Sequence, residues 1–328
     1  MKAALCKRLE GPSGIEIVDL PDPVPGPGEV VVLVSGVGLN HFDTLIVRGR
    51  YQTKPELPFS PGGEIAGTIA RLGPDVAGFK VGERVAAYIG HGGARQQAIV
   101  PAAALIPIPA AVPDTVAAGV CITYGTAMHA LQDRGRLLRG ETVAVIGASG
   151  GAGLAAIETA KLLGARVIAV SSSQSKLALA REHGADEAVA SIGAGLKETL
   201  RALTDGRGVD VVYDCVGGET AEPALRGLAW GGRFLVVGFA GGEIPSIRLN
   251  LVLVKGISVI GVHWGPSVAR DLQRHRENVM TILQSVAAGA LRPRIHAVYP
   301  LAQISDALGV LDRREALGKI ILDPAGNH

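Results

Sequence analysis

The feature that most constrains this chain is the run Val143–Gly153, VAVIGASGGAG, which leads directly into LAAIETAKLLGA. A β-branched strand enters a glycine turn, and a helix starts without any intervening loop. Gly150 and Gly151 allow a tight turn and the close approach of a pyrophosphate to the backbone. Gly153 lets the helix pack on the strand, and the helix N-terminus offers unsatisfied N–H groups and a positive dipole end. Gly150, Gly151, Ala152 and Gly153 are therefore predicted to contact the phosphates of a dinucleotide. A glycine-rich run alone is weak evidence, but its place between a strand and a helix is the context that gives it meaning.

The surrounding pattern agrees. From Glu141 onward, short apolar runs (Thr142–Ile146, Arg166–Val170, Ala188–Ala190, Val209–Asp214, Gly231–Val237, Gly256–Val262) alternate with helical stretches, as in a doubly wound parallel sheet. The first third reads differently. Glu29–Gly36, Gly63–Arg71, Gly82–Ile89 and Ala94–Val100 are β-branched runs separated by Gly and Pro, which suggests a barrel-like antiparallel body. Helical periodicity is predicted at Thr115–Leu131, Ser267–Ala288 and Gln303–Asp312, with strands near Arg294–Tyr299 and Lys319–Leu322. The expectation is an α/β chain of two domains. A β-rich domain covers 1–121 and resumes at 264–328, with a Rossmann domain, 122–263, inserted. Apolar residues form 48% of the 328, enough for two cores, and aromatics only 4%, so Val, Ala, Leu and Ile must do the packing.

The strand ending at Val170 is followed by Ser171-Ser172-Ser173-Gln174-Ser175-Lys176. A site for NAD usually carries Asp or Glu here to hold the ribose 2′-hydroxyl. Hydroxyls and a lysine suit a 2′-phosphate instead, so Ser171, Ser172 and Lys176 point to NADPH. A purely local reading makes Ser173 a helix cap and leaves Lys176 in solvent. Gly238 and Phe239 follow one strand of the sheet, and His263 and Trp264 another. These are carboxyl ends, where ligands of open α/β sheets bind.

The net charge of +2 argues against nucleic acid and anionic membrane partners. Cys6, Cys121 and Cys215 are too scattered for a disulfide framework or a Cys-x-x-Cys zinc site, and read as reduced thiols. No signal-peptide pattern and no bilayer-length apolar run is evident, so a cytoplasmic location is expected. There is no nucleophile elbow with a Ser-His-Asp set and no carboxylate pair suited to hydrolysis.

Several segments together resemble the medium-chain dehydrogenase/reductase superfamily, in particular its zeta-crystallin-like quinone oxidoreductases. They are GVGLNHFDTLIVRGRY, PFSPGGEIAGTIARLGPDVAGFKVGERV, ITYGTAMHAL, the glycine-loop region and the ending GKIILD. The resemblance covers essentially the whole chain. It implies a GroES-like catalytic domain with an inserted Rossmann domain, NADPH as cofactor, a quinone or α,β-unsaturated carbonyl as substrate, and a homodimer. Zinc-dependent relatives carry metal ligands where this chain has Asn40, Gly63 and Ile122, so no metal is expected. The resemblance implies that Asn40 donates an amide N–H to a developing oxyanion and that Tyr51 faces the substrate. It places Thr123 and Thr126 near the nicotinamide, and Lys319 toward the adenine. Asp43 is expected to act as a structural partner. Departures from relatives are Ser191, where a tyrosine is common, His41 and His263 in place of apolar residues, and Gln96 and Gln97 in place of aromatics. Two other functions compete. One is an enoyl-thioester reductase, with Arg48 and Arg50 as candidate anchors for an acyl-carrier tail. The other is a weakly catalytic NADPH- or RNA-binding protein.

Overall fold

The structure, a computed structural model, describes residues 1–190 and 193–326; the Ser191 departure lies outside the described residues. Among the described residues the strands are β1 (Lys2–Cys6), β2 (Ile15–Asp19), β3 (Glu29–Leu39), β4 (Glu64–Leu72), β5 (Arg84–Tyr88), β6 (Gln97–Pro101), β7 (Ile106–Pro107), β8 (Thr142–Ile146), β9 (Arg166–Val170), β10 (Glu187–Val189), β11 (Val209–Asp214), β12 (Leu228–Val236), β13 (Ser258–Gly261), β14 (Ile295–Pro300) and β15 (Lys319–Asp323). They divide between two compact units. The first comprises Met1–Ile122, Asp271–Gly289 and Pro293–His328; the second comprises Thr123–Arg270 and Ala290–Arg292.

The first unit is built on a sheet in the order β14-β15-β3-β4-β5-β7, with β6 also paired to β3, and on the separate antiparallel pair β1-β2. β3 is the spine. It pairs antiparallel with β4, β6 and β15, and the Ile321↔Gly38 register brings the chain's return strand against it. Alternate apolar residues of these strands fill one core, including Val30, Val32, Ile65, Ile69, Val85 and Leu322. Gly38 is required where β3 passes beneath residues 114–118, because a Cβ there would lie 2.3 Å from the Ala118 carbonyl oxygen.

The second unit is a six-stranded parallel sheet in the order β10-β9-β8-β11-β12-β13. Its central strands are buried on both faces and read as continuous apolar runs, as parallel sheets require. β13 stands at one end of the order, so its outer edge is unpaired within the described chain.

Three expectations need correction. The helix predicted over Thr115–Leu131 is broken into Asp114–Ala117, Thr123–Met128 and a wider turn at His129–Arg134. The break leaves the Ile122 N–H free to donate to the Glu64 carboxylate at 2.9 Å. The helix predicted over Ser267–Ala288 is two helices, Trp264–Arg270 and Leu272–Ala287. Asp271 starts the second by accepting the Arg274 N–H at 2.9 Å, an N-cap that a periodicity count passes over. The return to the first unit consequently begins at Asp271, not 264. The β1-β2 pair is a further element that the sequence pattern does not announce.

Candidate functional site

In the first unit, Asn40 follows β3 and is the N-cap of the helix His41–Ile46. Its backbone N–H donates to Asp43 Oδ2 at 2.8 Å, and Asp43 Oδ1 accepts the Gly62 N–H at 2.9 Å. Asp43 is fully buried, which pushes its carboxyl up to about 7 against the pull of those two N–H groups and of Lys319. Beside it stands Glu64, the first residue of β4, also fully buried. Glu64 Oε1 lies 2.5 Å from Lys319 Nζ and accepts Asn40 Nδ2–H at 3.0 Å, while Oε2 accepts the Ile122 N–H. Lys319 Nζ also donates to Asn40 Oδ1 at 2.5 Å. The carboxylate, ammonium and amide thus satisfy one another, as burial demands.

This cluster changes two assignments. The resemblance places Lys319 toward the adenine; its side chain is instead buried and bonded to Glu64 and Asn40. The resemblance also makes Asn40 a donor to an oxyanion, but its two amide hydrogens are used by Glu64 Oε1 and by the Gly38 carbonyl at 3.3 Å. Asn40 is thus part of the frame that supports the site. Glu64 is not singled out in the sequence, where only the adjacent Gly63 is named, as a lost ligand position. The signal that could have found it is an acid inside the otherwise apolar strand GGEIAGTIA, which cannot be buried without a cation.

Tyr51 is half-buried, its ring 5.4 Å from that of Phe42. Burial first, and the charge of Asp43 second, raise its hydroxyl above the ordinary tyrosine value. A phenol so placed stays protonated and can donate a hydrogen bond. His41 is lowered by burial. Arg48 is committed: its guanidinium holds the Asp312 carboxylate through both oxygens, at 3.2 and 2.6 Å, and donates to the Thr44 carbonyl at 2.7 Å. It is therefore unavailable to anchor a substrate tail, whereas Arg50 is exposed.

In the second unit, β8 is followed by Gly147 at φ +80°, and the helix Gly151–Leu162 comes next with Gly150 as its N-cap. A Cβ on Gly153 would lie 2.1 Å from the Gly147 carbonyl, so only glycine lets this helix begin against the turn. A Cβ on Gly150 would meet nothing nearer than 4.0 Å, so the space in front of the loop is open. That is a cradle of the kind a pyrophosphate fills. After β9, Ser171 is buried, Ser172 exposed, and Lys176 half-buried on the first turn of the helix Gln174–Glu182. Ser171 Oγ accepts the Ser173 N–H at 3.4 Å. Gly238 and Phe239 follow β12, and Phe239 is 39% exposed. Thr123 is buried and opens the helix Thr123–Met128, on which Thr126 is half-buried. Trp264 is buried over this helix, its indole 3.1 Å from where a Cβ on Gly125 would stand, whereas His263 is exposed. Among the described residues no group of three His, Cys, Asp or Glu side chains is arranged to hold a metal ion. No helix of the described residues is long and apolar enough to cross a membrane.

Comparison with known proteins adds the following. The family described as an alcohol dehydrogenase GroES-like domain matches residues 26–110, and that described as zinc-binding dehydrogenase matches residues 151–282. Quinone oxidoreductase-like protein 2 of Rattus norvegicus is 39% identical over 322 residues, covering 98% of this chain and 91% of that protein. The acryloyl-coenzyme A reductase of Sulfurisphaera tokodaii is 28% identical, covering 96% and 98%. Among solved structures, the quinone oxidoreductase of Thermus thermophilus, described alone and in complex with NADPH, superposes with a TM-score of 0.84 at 33% identity, covering 98% and 100%.

Proposed function

Since the chain belongs to the quinone oxidoreductase family of the medium-chain dehydrogenase/reductase superfamily, we propose that this oxidoreductase transfers a hydride from NADPH to a quinone or an α,β-unsaturated carbonyl without a metal. The observation that carries the cofactor assignment is the end of β9, where Ser171, Ser172 and Lys176 occupy the place of the acid that would select NAD. Gly150, Gly151, Ala152 and Gly153 hold the pyrophosphate in the open cradle, and Thr126, Gly238, Phe239, His263 and Trp264 belong to the nicotinamide half. Bound there, NADPH supplies the hydride; the chain supplies orientation and hydrogen-bond donors.

The zinc-independent reading rests on the donor set. The ligand positions of zinc-dependent relatives hold Asn40, Gly63 and Ile122, and the neighbouring carboxylate of Glu64 is neutralised by Lys319. A conjugated carbonyl accepts hydride without a Lewis acid provided its oxygen meets a donor as negative charge develops. Tyr51 is assigned this role, since its raised hydroxyl remains protonated and can donate to that oxygen; Thr123, like Thr126, belongs to the nicotinamide half. Asn40, with Asp43 and Glu64, braces the start of the helix His41–Ile46, which leads toward Tyr51.

The similarity to an acryloyl-coenzyme A reductase favours one further reading, reduction of an enoyl thioester. The commitment of Arg48 to Asp312 leaves Arg50 as its sole candidate among the two anchors first considered. We also infer a homodimer formed across the free edge of β13. Val259 on that edge is 42% exposed and Trp230 is 79% exposed. Such a strand is normally covered; Val259→Lys is expected to yield monomers by size-exclusion chromatography with light scattering.

Absorbance at 340 nm tests the main reading, with NADPH and NADH in parallel against small quinones and enones in EDTA. Fast oxidation of NADPH alone is the expected result. Oxidation of NADH alone overturns the cofactor assignment, and loss of activity in EDTA overturns the metal-free mechanism. Turnover of enoyl thioesters alone selects the second reading.

A further inference from the structure

A second buried polar cluster lies within the Rossmann unit. Glu158 is on the helix Gly151–Leu162, two turns in from the phosphate loop, and is only 7% exposed. Its Oε1 is 2.5 Å from His183 Nδ1, and its Oε2 accepts the Tyr124 hydroxyl at 2.8 Å and the Arg292 N–H at 3.0 Å. His183 is the C-cap of the helix Gln174–Glu182, and its side chain is 10% exposed.

These two helices share a property. The N-terminus of the first faces the pyrophosphate cradle, and that of the second follows the serine loop. From Gly151 to Glu158 is about 10 Å along the first helix, and from Gln174 to His183 about 13 Å along the second. Each helix is a short rigid rod, and the rods are joined near their far ends by the bond between Glu158 and His183. At the sheet the two loops are already tied, since the Gly147 and Ala148 N–H groups both donate to the Val170 carbonyl, at 3.1 and 3.2 Å. The bond between Glu158 and His183 holds the two helices that follow, and with them the placement of Lys176, on the first turn of the second helix, relative to the pyrophosphate cradle. Another link between the same parts, Lys161 to Asp186 at 2.8 Å, is more than a third exposed on both sides. Exposed pairs hold geometry weakly, so of these two side-chain links the buried bond is the stronger.

We propose that Glu158 is a positioning residue for cofactor selectivity. By holding His183 it sets the helix that carries Lys176 at the distance where a 2′-phosphate and a pyrophosphate are bound at once. This rests on the NADPH reading above. A cofactor without the 2′-phosphate makes no use of that spacing, so its affinity should be indifferent to the tie. Glu158 serves better than a neutral residue because three donors converge on it, from the helix Thr123–Met128, from His183 and from the segment at Arg292.

The test measures dissociation constants by calorimetry for NADPH, NADH and the fragments 2′,5′-ADP and 5′-AMP, with no turnover involved. The proteins are wild type, Glu158→Gln, His183→Leu, the double variant and Tyr124→Phe. Glu158→Gln retains an acceptor for Tyr124 and Arg292 and loses the charged bond to His183. The expected result is about tenfold weaker binding of NADPH and 2′,5′-ADP, with NADH and 5′-AMP within about twofold. His183→Leu should have the same effect, the double variant no more than either single, and Tyr124→Phe should leave the NADPH/NADH ratio unchanged. Equal weakening of both cofactors would mean a merely structural role and would overturn the inference, as would an unchanged ratio in both Glu158→Gln and His183→Leu. A wild-type ratio near one removes the NADPH reading and this inference together. A strong wild-type preference that survives both substitutions removes the inference alone.

Discussion

Replacing Lys319 by Met should be among the most damaging single changes in the first unit, and the structure says how much. Glu64 is fully hidden from water, and Lys319 Nζ lies 2.5 Å from its Oε1. Removing one member of a buried pair leaves an uncompensated charge and costs about 3–5 kcal/mol. The Asn40 amide and the Ile122 N–H still donate to the carboxylate, which puts the loss toward the lower figure, about 3 kcal/mol. A unit of this size shifts by about 2–4 °C per kcal/mol, so calorimetry should show its transition falling by about 6–12 °C. The decisive sample is the double variant Lys319→Met/Glu64→Gln. The amide introduced by Glu64→Gln carries no charge. It can accept the Ile122 N–H and, once the Asn40 amide turns about, can donate to the Asn40 Oδ1 that the lysine has vacated. Stability should return to within about 1 kcal/mol of wild type. If Lys319→Met alone costs less than about 1 kcal/mol, or if the double variant is as unstable as the single, the reasoning that charge neutralisation holds this site together is refuted.

Other outcomes follow from the same geometry. The Asp43 carboxyl should titrate near pH 7 by carbon-detected NMR, and a midpoint in the ordinary carboxylate range would contradict the burial argument. Folded Asp43 keeps its proton to about pH 7, whereas the unfolded chain releases it near about pH 3.9. Its contribution to stability is therefore present below about pH 4 and is lost as pH rises through about 7. Tyr51→Phe should lower kcat for an enone by about 10²-fold while leaving the NADPH dissociation constant unchanged; an unchanged kcat excludes Tyr51 as donor. In Gly125→Ala the new methyl would lie 3.1–3.3 Å from the Trp264 indole. It should shift the emission of that buried tryptophan and cost about 1–3 kcal/mol. Exposed Trp230 serves as the internal reference, and unaltered emission would show that Trp264 does not pack there.

The features most legible in the sequence are those governed by local rules. The run from Val143 to Gly153 announces strand, turn and helix because each residue type there has a steric reason that acts over a few positions. The alternation of apolar runs after Glu141 fixes a parallel sheet for the same reason, and the fold class follows. The missed features depend on residues distant in the chain. Lys319 meets Glu64 and Asn40 across 255 and 279 positions, and no periodicity reports such a meeting. Asn40 reads as a free donor as long as its position is known and its partners are not. The broken helix after Ala117 has a like cause, since a backbone N–H is diverted to a side chain far away in sequence. The Asp271 break was within reach: Asp before LQRH is a capping signal that the apolar pattern outweighs.

The Glu64 carboxylate also bears on how the protein is made. Its partners come from both sides of the Rossmann insertion: Asn40 and Ile122 before it, and Lys319 after it. A ribosome adding about 5–20 residues per second needs about 10–40 s to travel from Ile122 to Lys319. Throughout that interval the nascent first unit has an acid with no cation, and β3 has no strand in the place of β15. The insertion matures while its host waits, and residues synthesised late both neutralise that acid and close that edge. Truncations and slow codons near the 3′ end of the message therefore bear on the part of the protein made first.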